Sequence, residues 1–465
     1  MVFNSLDFLV FFTAVYGLYL VLQHRAQNLL LLGASYVFYG YWDWRFLALL
    51  LASTGADYLF GLRIGDTADP RRKKGWLWAS MVVNLGVLFF FKYFNFFADS
   101  AIAALNALGF DGRWDALHIV LPVGISFYTF QSMSYTVDVY RGDLKPTRSL
   151  THFALYVAYF PQLVAGPIER ATHLLHQMSA PRRPTYDQLR EGFWLILHGY
   201  FLKVVLADNL APFVDEVFKN PAGAKGMQIP LAVVAFAFQI YGDFGGYSSI
   251  ARGISKWLGV DLMVNFRMPY FAVNPSDFWR RWHISLSTWL RDYLYIPLGG
   301  NRGGESRTYR NLFLTMVLGG LWHGAAWHFV AWGVFHGLLL IGHRLLQPHL
   351  PGGPGLGWRL TRVALFLPCT LFGWLLFRVE ELGHLPLLWH NLTESWVWNG
   401  KLCALTLLCF ALPVVLVDLI HERRGHDTAV SRMGALPRTA LYLLWFAIIV
   451  LCGVRGNHAF IYFQF

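Results

Sequence analysis

Charge is scarce in this sequence: 14% of its 465 residues are Asp, Glu, Lys or Arg, while 56% are hydrophobic. Soluble domains carry about a quarter charged residues, so the balance excludes an ordinary water-soluble domain and points to a bilayer. Cysteine is equally sparse. Cys369, Cys403, Cys409 and Cys452 lie within apolar segments without metal-ligand spacing, so no metal is expected and they read as small core residues. A Gly/Ser linker, a low-complexity tract and an inverted repeat are also missing, which leaves one membrane domain over residues 1–465 as the expectation. The start, Met-Val-Phe-Asn-Ser-Leu-Asp-Phe, lacks the basic residues of a cleavable signal peptide, so the apolar run near 7–23 should remain as a first spanning helix.

Further apolar runs lie near 27–41, 46–63, 76–98, 117–139, 151–165, 189–206, 228–250, 311–322, 325–346, 360–377, 402–420 and 437–453. A straight span needs about 20 residues, so the shorter runs are tilted, broken or re-entrant, and about 11 to 13 membrane segments are expected. The result is an all-α integral membrane protein. The net charge of +11 does not imply nucleic acid, because the basic residues cluster in short loops: His24-Arg25, Arg71 to Lys74, and Arg141 to Arg148. That is the positive-inside pattern, with lipid head groups as the natural counter-charge. It puts the N-terminus outside, the loop bearing Arg423, Arg424 and Arg432 in the cytoplasm, and residues 454–465 on the outer side as a tail.

Between Leu312 and Leu346 the apolar chain carries His323, His328, His336 and His343. Ionisable groups in a membrane are costly and usually functional, and imidazole suits proton transfer near neutral pH. His328 and His343 read as packed, hydrogen-bonded histidines. His323 stands in Gly-Gly-Leu-Trp-His-Gly, where the glycines let a substrate approach, and reads as functional. His336 lies thirteen residues further on; along one continuous helix that falls about 140° short of full turns, so it should face elsewhere. Residues 274–300 form an unusual segment, with Pro275 and Ser276 able to start a helix and Pro297 and Gly299-Gly300 able to end it. Asp277, Arg280, Arg281, His283, Arg291 and Asp292 are too many charges for lipid contact, so the segment either lines an enclosed cavity or lies on the cytoplasmic surface.

Phe278-Trp279-Arg280-Arg281-Trp282-His283, Ser285-Leu286-Ser287, Asp292-Tyr293, Pro297-Leu298-Gly299-Gly300 and, forty residues after His283, Leu321-Trp322-His323-Gly324 follow one another in order. With Pro122 to Gln131, Tyr159 to Ile168 and Tyr241 to Ser248, this set resembles the membrane-bound O-acyltransferase (MBOAT) family, in its bacterial polysaccharide-acetylating branch. The resemblance covers nearly the whole chain. It implies a ring of helices around a tunnel, the family's histidine at His323 and its second polar position at His283. Trp282, Trp322, Ser285, Asp292, Tyr241 and His336 are then candidate tunnel or substrate-contacting residues. The ending Phe460-Ile461-Tyr462-Phe463-Gln464-Phe465 resembles the Phe-x-Tyr-x-x-Phe tail of that branch, with Phe460 and Phe465 docking and Tyr462 carrying the acyl group.

The implied chemistry moves an acetyl group from a cytoplasmic thioester, acetyl-CoA or a relative of it, to an extracytoplasmic glycan such as alginate, cellulose or peptidoglycan. A tyrosine hydroxyl, with a pKa near 10, needs a base, the role of His323; His283 or an indole N–H would steady the oxyanion. No permanently bound cofactor is implied. The implied partners are an SGNH-hydrolase-like acetyltransferase outside and the polysaccharide synthesis and export machinery, at a bacterial inner membrane. Two alternatives stand beside this: direct transfer to the glycan at His323 without a tyrosine intermediate, and a multi-span transporter or flippase of an acylated or lipid-linked substrate. Cysteine-accessibility labelling is expected to find the loops at 66–74 and 422–435 cytoplasmic and residues 454–465 outside; a cytoplasmic tail would break the relay.

Overall fold

The structure, a computed structural model, describes all residues other than 165, 350–352, 354, 395–399, 457–459 and 462–465. Among the described residues every regular element is a helix. Eight are long and apolar enough to cross a bilayer: Arg45–Asp66, Pro70–Ala107, Tyr186–Lys219, Gln228–Trp257, Trp327–His349, Leu356–Arg378, Lys401–Arg424 and Ala435–Cys452. Other expected segments are shorter or more polar helices, namely Leu6–Val21, His24–Gly40, Ile125–Arg141, Leu150–Ala158 and Glu305–His323. The run predicted to begin near 117 turns helical only at Ile125, after Gly124 in the left-handed region (φ +76°). The cysteine reading needs correction. Only Cys403 is buried; Cys409 and Cys452 lie exposed on apolar helix flanks, which lipid suits as well as a core does.

The chain gathers into two compact units, Met1–Thr185 with Ser255–Leu262, and Tyr186–Ile254 with Met263–Phe465. In the first, a buried polar knot joins three helices. The Asp57 carboxylate accepts from Ser80 Oγ at 2.7 Å and from Asn84 Nδ2 at 2.9 Å, and Ser80 meets Thr136 at 3.1 Å. Polar groups away from water are tolerated when partnered in this way.

The second unit is organised by two close backbone contacts. Helices 186–219 and 228–257 touch through glycines: a Cβ at Gly199 would lie 2.7 Å from the Gly246 carbonyl oxygen, and one at Gly253 would lie 2.6 Å from that of Gly192. Both helices carry a π-turn where they meet, Phe201–Ala207 and Tyr241–Gly245. A π-turn inserts a residue and releases carbonyls from the regular ladder. Lys203 and Asp208 from the first and Asp243 from the second form a buried ion cluster there, with Lys203 Nζ 2.8 Å from Asp208 and 2.7 Å from Asp243. The second contact is the hairpin of Glu305–His323 and Trp327–Leu346, in which a Cβ at Gly320 would lie 2.3 Å from the Phe329 carbonyl oxygen and one at Gly333 would lie 2.5 Å from that of Met316.

Gly199→Leu is expected to wedge the first contact open. Overpacking of this kind costs about 1–3 kcal/mol or more. It should lower the thermal midpoint in detergent well below that of Gly75→Leu, whose added Cβ meets nothing within 4 Å.

Candidate functional site

The segment predicted as one helix over 274–300 is broken. Pro275–Trp279 is one short helix, capped by Asn274 Oδ1 accepting from the Asp277 N–H at 2.8 Å. The chain turns through 280–283 and resumes as Ile284–Leu290 and a π-turn, Arg291–Tyr295. His283 sits at the break with φ +41°, in the left-handed region that a side chain with a Cβ enters at a cost.

The surroundings hold that conformation. The Arg267 N–H donates to the Arg281 carbonyl and the Ile284 N–H to that of Asn265, each at 2.9 Å. Ser285 Oγ donates to Asn265 Oδ1 at 2.6 Å, and Asn265 Nδ2 donates to Ser248 Oγ at 3.1 Å. Ser285 therefore fixes the loop through Asn265. Arg281 is set between Asp277 at 3.1 Å and Glu422 at 2.8 Å. Asp277 and Arg281 are thus paired within the protein, while Arg280 and Arg291 reach solvent.

His323 ends the helix Glu305–His323, and the chain runs extended through Gly324, where a Cβ would lie 2.1 Å from the Phe329 ring, before the next helix starts at Trp327. Both histidines are buried, and their ring centroids stand 6.2 Å apart. An aromatic cage surrounds them. His323 packs edge-on against Trp322 at 5.2 Å, Trp332 at 5.0 Å and Phe377 at 5.3 Å. His283 packs on Phe244 at 4.7 Å and lies 5.9 Å from Trp322. Two imidazoles, one from a helix end and one from the break in the chain, thus converge in a pocket of rings, where a proton can be handled with little competing water.

His336 lies closer to this cage than the helical phase suggested. The helix is interrupted at Gly324, so counting turns from His323 does not apply. Trp332 touches both rings, at 5.0 Å from His323 and 4.6 Å from His336, and His336 stacks on Phe278. Trp282 is buried nearby, against Trp374 at 4.6 Å and Phe266 at 4.9 Å. Tyr241 lies 6.5 Å from Trp282, and its hydroxyl donates to Asp418 at 3.0 Å. Asp292 stands apart from the buried set: its carboxylate pairs with Arg291 at 2.7 Å and its side chain is 30% exposed.

Phe460 is buried against Tyr247 at 4.9 Å and Phe244 at 6.0 Å. Phe244 is thus shared between Phe460 and His283. Tyr462 and Phe465 lie outside the described residues.

Sequence reasoning did not single out Asn265, Lys203, Asp243 or the polar group beside Tyr241, in which Asp418, His421, His198 and Arg252 line a small pocket. Lys203 and Asp418 were detectable in principle, since each interrupts an apolar run long enough to span a bilayer. Asn265 has no such signal, because its role depends on a contact twenty residues away.

A model of the MBOAT, membrane-bound O-acyltransferase family, matches residues 146–378. The chain is 39% identical to the probable alginate O-acetylase AlgI of Azotobacter vinelandii over the full length of both. It is 46% identical to the probable alginate O-acetylase AlgI of Pseudomonas aeruginosa, over 82% of this chain and 73% of that one. It is 36% identical to the peptidoglycan O-acetyltransferase of Helicobacter pylori, over 82% of this chain and 78% of that one.

Asn265→Ala removes the acceptor that fixes Ser285. Amide hydrogen exchange across 281–286 is then expected to quicken by about tenfold, the scale of one buried hydrogen bond. Unchanged protection there would show that the loop is held by its backbone pairing alone.

Proposed function

The chain belongs to the membrane-bound O-acyltransferase family and is a multi-pass membrane acyltransferase, and from that premise we propose that it moves acetyl groups from a cytoplasmic thioester, acetyl-CoA in the simplest case, to a polysaccharide outside the bacterial inner membrane. Its similarity to alginate and peptidoglycan O-acetylating proteins supports a glycan acceptor. The glycan class follows alginate most closely, in keeping with full-length similarity to the Azotobacter protein.

In this proposal His323 is the general base and Tyr462 the first acceptor. A ring nitrogen of His323 takes the phenol proton as the tyrosine oxygen attacks the thioester carbonyl. The carbon–oxygen bond forms, the carbon–sulfur bond breaks, and the proton passes on to the departing sulfur. His283, fixed in its left-handed turn, faces the same cage and supplies a donor to the transient oxyanion. Acetyl-Tyr462 then reaches an SGNH-like partner outside, whose serine oxygen attacks the ester; the phenol regains a proton and the partner esterifies the sugar hydroxyl. The observation that carries this reading is the burial of Phe460, two residues before Tyr462, against the ring that also packs on His283.

Purified protein incubated with labelled acetyl-CoA is expected to acquire an acetyl group on Tyr462, located by mass spectrometry. His323→Ala should fold and insert yet lose about 10²- to 10⁴-fold in transfer, the usual range for a general base. Tyr462→Phe keeps the ring and removes the nucleophile, so it should abolish glycan acetylation. Full glycan acetylation by Tyr462→Phe would leave direct transfer at His323 as the mechanism.

A further inference from the structure

After its last long helix the chain is held at two points, each at a π-turn. The helix Ala435–Cys452 ends at Gly453, where a Cβ would lie 2.3 Å from the Ile449 carbonyl oxygen. Asn209 Nδ2 then donates to the Cys452 carbonyl at 3.0 Å, and the Val454 N–H donates to the Val204 carbonyl at 2.9 Å. Val204 lies inside the π-turn 201–207, the local geometry that releases a carbonyl from its own helix. Seven residues later the Ile461 N–H donates to Asp243 Oδ2 at 2.5 Å, within the second π-turn, 241–245. Ile461 is buried, as is Phe460 before it.

The electrostatics fit the same role. Lys203 brings one positive charge between two carboxylates, Asp208 and Asp243, all three buried. A buried carboxylate gains from each donor added to it. A backbone N–H supplies such a donor without adding a charge. It also reads the path of the chain and not its side chain, which suits an anchor that must leave the next residue free.

We propose that the two π-turns form a docking seat for the chain's own C-terminal segment, in which Asp243, held by Lys203, anchors the backbone at Ile461. Asp243 is a positioning residue: it touches the tail backbone and acts through it. The proposal rests on the tyrosine-carrier reading for its purpose, but the seat itself is a physical claim that can fail or stand alone.

The test uses full-length protein with Cys369, Cys409 and Cys452 replaced by Ala, Ile461→Cys as reporter and buried Cys403 retained as a monitor of global opening. With Asp243 present, maleimide should modify the reporter thiol at position 461 slowly. Asp243→Ala should speed that modification by about ten- to a hundredfold, the scale of a hydrogen bond to a charged group, with Cys403 unchanged. Asp243→Asn keeps an oxygen acceptor and should give an intermediate rate; it carries the test should the alanine variant fail to fold. Equal reporter rates with Asp, Asn and Ala at 243, or parallel acceleration at Cys403 in the asparagine variant, would overturn the seat. Acetylation of Tyr462 is read separately by mass spectrometry, on protein that keeps Ile461. A reporter rate that depends on Asp243, in a protein that never acetylates Tyr462, would sustain the seat and reject the carrier.

Discussion

In hydrocarbon a backbone N–H or C=O that leaves its helix has no water to accept it, so each interruption of a helix must be answered by another part of the protein. The histidine-bearing region of this chain interrupts its helices repeatedly. At 280–283 the freed groups are met by residues 265–267, and Asn265 adds a side-chain acceptor. At the π-turn 201–207 the Val204 carbonyl is met by the Val454 N–H. The irregular backbone that gives the site its shape is thus possible because neighbouring segments are shaped to pair with it.

Close approach makes that pairing possible. Where Gly199 faces Gly246 and Gly320 faces Gly333, helix axes come near enough to bring Lys203 to Asp243 and to turn His323 inward at a helix end. Larger residues at these points would hold the helices apart, and both the ion cluster and the cage would lose a wall. The small residues therefore act through distance: they contribute little surface themselves, and they set how far apart the polar groups lie.

Much of this architecture is legible in the amino-acid sequence. The all-helical membrane class follows from composition, and His323 and His283 stand out because titratable groups in apolar surroundings demand a reason. Family resemblance implies that the two belong to one site, and in the fold their rings lie 6.2 Å apart. The break in the chain at His283 is not legible. Residues 274–300 carry a start signal at Pro275 and a stop at Pro297, and nothing local announces that His283 will adopt a left-handed turn, since that depends on Asn265 and Arg267 from elsewhere in the chain. The same limit affects His336, whose direction cannot be taken from a helical repeat that Gly324 interrupts. Asp292, attractive by its place in the motif, pairs with its neighbour Arg291.

The bond from Val454 to Val204 has one more consequence, a matter of tether length. If Ile461 leaves its seat while Val454 stays tied, eight residues separate the tie from position 462. Fully extended at about 3.5 Å per residue, they span at most about 28 Å. In the proposed relay, whatever accepts a group from that position has to come within this radius of the tie at Val454, so a freely diffusing polymer would meet it only by chance. A protein bound directly over this patch of membrane would meet it on every excursion. In that relay a leash this short would turn the delivery step into a question of docking geometry, and it would favour a partner that stays attached through many cycles over one that visits for a single transfer.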